Sequence, residues 1–141
     1  MVKHNFVVLL LCVVTMSVSL SFVFGTVDSF ASSTSAADLI SGAPQEVPVK
    51  GTVTMIDLGA HKCIPCKMMA PVIKELSVEY EGRAAIVFID VWENSNVPQQ
   101  FGIRAIPTQI FYDAQGKEQY RHEGFMDKQS VVKVLQRLGV R

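Results

Sequence analysis

Two cysteines separated by Ile-Pro lie where a strand-like run hands over to a helix-like one. The motif Cys63-Ile64-Pro65-Cys66 follows Val53-Thr54-Met55-Ile56-Asp57-Leu58 and precedes residues 67–80, which carry helical spacing. Residues 51–58 read as a strand whose apolar side chains occupy both parities, the mark of burial on both faces. Cys66, Met69, Ala70, Ile73, Leu76 and Tyr80 form one helical stripe, and Pro71 inside it is expected to kink the helix. The continuous apolar run of residues 84–90 reads as a second buried strand, parallel to the first across a right-handed crossover.

A short helical piece is expected near residues 97–101, ahead of Ile106-Pro107-Thr108. Residues 109–112 and 117–122 flank Asp113-Ala114-Gln115-Gly116, a hairpin signal. A last helix is expected from the N-cap Asp127 to Gly139, burying Val131, Leu135 and Leu138. Together these elements make an α/β domain: a mixed sheet of about four strands with helices on both faces.

The first 31 residues have a different character. Lys3 and His4 precede an uncharged apolar stretch over residues 6–25, and small residues follow, including Ser29 and Ala31. This is the layout of a secretory signal with cleavage after Ala31. The stretch also approaches the ~20 residues that span a bilayer, so an uncleaved N-terminal anchor is the alternative. Cys12 lies inside it behind three leucines and reads as an incidental leader residue. Residues 32–46, rich in Ser, Ala, Pro and Gly, read as a linker, and residues 47–141 as the domain. The location implied is periplasmic or otherwise extracytoplasmic, by secretion or by membrane anchoring.

The 141 residues hold 13 basic and 13 acidic side chains, a balance that offers nothing to nucleic acid. Once the leader is set aside, two cysteines remain, both in the one motif. A disulfide closing so short a loop constrains the chain very little, so the pair must serve something other than stability. At a strand-to-helix turn, the helix aims unsatisfied N–H groups and its positive dipole end at the first sulfur. That favours the thiolate, the form that attacks disulfides. Dithiol–disulfide exchange follows, with Cys63 as nucleophile, partly exposed, and Cys66 as resolving thiol. Pro65 stiffens the turn between them. Asp57, the one ionisable residue in an apolar strand, should have a raised pKa.

With these pieces in place, the chain resembles the thioredoxin-fold family from residue 47 to the C-terminus. The matching residues are Asp57 six positions before Cys63, the Cys-Ile-Pro-Cys motif with Lys67, and Met68-Met69-Ala70-Pro71. Further on, Phe101-Gly102-Ile103-Arg104-Ala105-Ile106-Pro107-Thr108 and Gly124 match as well. The resemblance implies proton transfer between Asp57 and the buried cysteine. It also implies a cis bond before Pro107, which faces the disulfide, and a client segment that pairs with the backbone of Ile106, with Gly124 nearby. The redox-active disulfide is the only cofactor implied. The partners implied are client proteins with disulfides or thiols, and a membrane-embedded electron donor, with the chain acting as a monomer.

Departures from the family pattern accompany the match. Thioredoxins carry tryptophan before the first cysteine and near the strand end, where this chain has Lys62 and Gly59. His61 and Lys62 make the turn more basic, and both cations would favour a thiolate. The lysine that pairs with the buried carboxylate is replaced by an apolar residue near Ile86, which should raise the Asp57 pKa further. Trp92 is read as packing.

The neutral Ile64-Pro65 pair points to the reducing direction, nearer to about −270 mV than to the roughly −120 mV of strong oxidants. An oxidase or isomerase using the same pair is one alternative. A copper or zinc carrier through Cys63, Cys66 and His61 is the other, with His122 remote in sequence. Haem attachment is excluded, because Lys67 stands where that motif needs histidine.

Overall fold

A computed structural model describes residues 35–141, so the leader, Cys12 and the cleavage position after Ala31 lie outside the described residues. In chain order the elements are α1 (Ala36–Leu39), β1 (Thr54–Gly59), α2 (Ile64–Glu79), β2 (Ala85–Asp90), α3 (Val97–Phe101), β3 (Thr108–Tyr112), β4 (Glu118–Glu123) and α4 (Lys128–Arg137). The sheet order is β2-β1-β3-β4. β1 runs parallel to β2 and antiparallel to β3, and β3 pairs antiparallel with β4.

Alternation along β1 assigns its side chains to two cores. Met55 packs with Met69, Ile73 and Leu76 of α2, with Phe88 and Phe111 of the sheet, and with Val131 and Leu135 of α4. Ile56 and Leu58 point the other way, toward Val87, Ile89, Ile110 and Val97 of α3. All six residues of β1 and of β2 are buried, as continuous apolar runs require when helices cover both faces. β4 is the free edge on one side, and its exposed, charged sequence discourages further pairing.

Several local expectations are met in detail. Asp127 caps α4, its Oδ1 accepting the Ser130 N–H at 3.0 Å. Asp113 Oδ1 accepts the amides of Gln115 and Lys117, which fixes the β3–β4 turn. α2 runs unbroken from Ile64 to Glu79 with Pro71 inside it. The first strand is shorter than expected and starts at Thr54, because Gly51 at φ 75° and the Thr52 N–H bond to the Val49 carbonyl make a turn.

Residues 35–46 do more than link. Ser35 and Asp38 form a capping box on α1, and Leu39 and Ile40 pack against the two cores. The Gly42 carbonyl accepts from the Asp90 N–H at 3.0 Å and from Asn94 Nδ2 at 3.2 Å, which places this segment along the β2 edge. Trp92, expected to pack, is 60% exposed, because it falls in the turn after β2.

Candidate active site

Cys63 is the N-cap of α2, so its side chain sits where the first helical amides have no carbonyl partner. Its Sγ accepts the Cys66 N–H at 3.4 Å. Pro65 falls in the first turn, where a missing N–H costs no hydrogen bond. Cys66 lies one turn in and is joined to Cys63 as a disulfide, with Cα atoms 5.2 Å apart. Exposure separates the two sulfurs less than expected: Cys63 is 8% exposed and Cys66 4%. Ala60 clusters with the two cysteines, and Ile106 packs against that cluster. Ile64, in contrast, stands free at the tip of the turn.

On the facing side the Ile106–Pro107 bond is cis and Pro107 is buried. Gly124 donates its N–H to the Pro107 carbonyl at 2.8 Å, tying the β4–α4 loop to this corner. Ile106, the residue before that proline, packs against the cluster of Ala60, Cys63 and Cys66.

Asp57 is fully buried in β1, opposite Phe88 of β2 and Gln109 of β3. Burial pushes its pKa up to about 7, against the lowering effect of a hydrogen bond from Gln109. Gln109 Nε2 donates to Asp57 Oδ1 at 2.6 Å. Asp57 Oδ2 and Gln109 Oε1 have no partner among the described residues. A Cβ at Gly59 would lie 3.3 Å from both Asp57 Oδ2 and Cys66 Cβ, so the free oxygen and the resolving cysteine border the same spot. Gln109 was not singled out from the sequence; its one signal is an amide in the otherwise apolar run after Pro107-Thr108.

A family model described as thioredoxin matches residues 22–137 of this chain. The thioredoxin of Staphylococcus aureus is 35% identical over 96 residues, covering 68% of this chain and 91% of that protein. The chain belongs to the thioredoxin family. Among solved structures, a thioredoxin of Nicotiana alata is 39% identical with a TM-score of 0.55, covering 62% of this chain and 73% of its own. Chloroplastic thioredoxin z is 27% identical with a TM-score of 0.57, covering 63% and 80%. A thioredoxin of Malassezia sympodialis is 29% identical with a TM-score of 0.55. A family thioredoxin with a cysteine pair of this geometry is a thiol–disulfide oxidoreductase, and the family uses that pair without a further cofactor. Among the described residues, no three metal-ligating side chains converge.

His61 lies on the other side of the thioredoxin site. The His61 amide donates to Asp90 Oδ2 at 2.8 Å, and its Nε2 lies 3.9 Å from the same oxygen. Its ring meets that of Phe88 in a tilted contact with centroids 5.1 Å apart, so this side chain is engaged by Asp90 and Phe88. Lys62, adjacent to Cys63 in the chain, is exposed. Burial pushes the Asp90 carboxyl up, but bonds from the amides of His61, Trp92 and Glu93 outweigh it and hold it below the usual range. Asp90 was not singled out from the sequence, and its part here is to anchor the backbone at His61 and in the turn after β2. A cavity of about 300 Å³ lies beside the site, bounded by Ile40, His61, Cys66, Lys67, Ile73 and Phe88.

Proposed function

We propose that this thioredoxin-family chain works outside the cytoplasm and reduces disulfides in client proteins. The Cys63 thiolate attacks a client disulfide, forming a mixed disulfide and expelling one client thiolate, which takes up a proton. Cys66 then gives its proton to the Asp57 carboxylate and attacks Cys63 Sγ. The second client sulfur leaves as a thiolate and takes up a proton as Asp57 releases its own, and the Cys63–Cys66 disulfide holds the oxidising equivalents of two electrons. A dithiol donor in the membrane restores the pair. The client segment lies in extended form along the backbone of Ile106 beside Pro107 and Gly124, adding a strand.

The observation that carries this reading is the position of Cys63 Sγ as the N-cap of a 16-residue helix, accepting an amide N–H, with Ile106 packed against the same cluster. The apolar leader supports the location, and the neutral Ile64-Pro65 turn supports the direction. Two measurements test it. A Cys66→Ser variant should trap client mixed disulfides in the native compartment while Cys63→Ser does not; equal trapping by both overturns the roles. The redox potential should lie well below about −160 mV, whereas a higher value makes the protein an oxidase.

A further inference from the structure

We propose that Gln109 is the positioning residue of the buried carboxylate, holding Asp57 by Oδ1 so that Oδ2, beside Cys66, is the oxygen that takes up and returns the proton. This inference rests on the exchange chemistry proposed above. Its basis is the sheet register. Asp57 is flanked by Phe88 on β2 and by Gln109 on β3, with Ile86 two residues along β2 and also buried. Where the family pattern supplies a cation from the β2 side, this chain supplies a neutral amide from the opposite strand.

The amide suits both protonation states. When Asp57 is ionised, Nε2–H donates to Oδ1 at 2.6 Å. When a proton sits on Oδ2, Oδ1 becomes the carbonyl oxygen of the acid and still accepts the same bond. The carboxyl therefore exchanges a proton without its partner moving. A lysine there would favour the charged form alone and pull the titration down. Oδ2 has no partner among the described residues and borders the same point over Gly59 as Cys66 Cβ.

Few other groups bear on this titration. From α2, the ionisable Cys66 borders the same point over Gly59 as Asp57 Oδ2. β2 contributes Ile86 and Phe88. One strand beyond Gln109, His122 of β4 sits with its Nε2 3.2 Å from the Phe125 carbonyl oxygen. His61 reaches Phe88 but is engaged by Asp90.

The test uses Q109L and, as a variant of similar length without the N–H, Q109M. The Asp57 carboxyl is followed by carbon-13 NMR through a pH titration of the whole protein. Both variants should raise its midpoint by about one pH unit, the size expected for one lost charge-assisted bond. Resolution of a mixed disulfide by Cys66 at pH 7 should slow by about tenfold. Attack by Cys63, read in a Cys66→Ser background, should change less than about twofold, since that step needs no proton at Asp57. In a D57N background Q109L should have no further effect on resolution. An unmoved midpoint, or equal slowing with and without Asp57, overturns the assignment.

Discussion

Asp57 and Gln109 stand opposite each other on antiparallel strands, joined by a 2.6 Å hydrogen bond in a fully buried site. The bond offsets only part of the burial cost, and the carboxyl titrates near 7 instead of its ordinary 3.8. The folded chain therefore binds this proton more tightly than the unfolded one. The resulting stability is complete below about 3.8 and is lost as pH rises through about 7.

Asp57→Asn should remove that loss. At pH 8 the variant should exceed the parent in stability by up to the order of 4 kcal/mol. Near pH 4 the two should be almost equal. Denaturant unfolding at both pH values checks this, and the same increment at each would show that charge burial is not the cause.

Asp90 anchors the turn after β2 by accepting from three backbone amides, those of His61, Trp92 and Glu93. Asp90→Ala should destabilise the protein by about 1–3 kcal/mol, because it removes three part-buried hydrogen bonds to a charged acceptor. The sign with pH is opposite to that of Asp57. A depressed carboxyl contributes stability above its ordinary 3.8, and that contribution is lost as pH falls through the lowered value. The variant should be less sensitive to acid than the parent in thermal melts, and an unchanged acid limb would contradict this.

Gly124 holds the Pro107 carbonyl from a backbone with φ of 96°, a conformation that side-chain-bearing residues rarely adopt. No atom lies within 4 Å of the position a Cβ would take, so the cost of Gly124→Ala is conformational. It should lower stability by about 1–2 kcal/mol. It should also raise KM for a disulfide substrate more than it lowers kcat, since the loop borders the client strand and not the sulfurs. A change in kcat alone would separate this loop from client binding.

How much of this was legible depended on whether the signal was local. The Cys63 turn, the buried run ending at Asp90, the Asp113-Gly116 hairpin and the Asp127 cap all announce themselves within a few residues. Gln109 does not, because Asp57 lies on another strand and only register brings the two together; the Asp90 bond to the distant His61 amide is hidden in the same way. The packing of Gly42 against the β2 edge was hidden for the same reason, since Ser- and Ala-rich composition says nothing about a carbonyl 48 positions from its donor. The packing of Ile106 against the cysteine cluster is likewise a long-range contact.

The pH dependence of Cys63 alkylation in the reduced protein tests the central claim most directly. With the sulfur held at the α2 N-terminus and Lys62 adjacent in the chain, the account predicts half-reaction between about 3.5 and 7.5, with Cys66 reacting only at higher pH. If Cys63 instead follows the free-thiol curve near about 8.5, the helix end does not activate it and the account is contradicted.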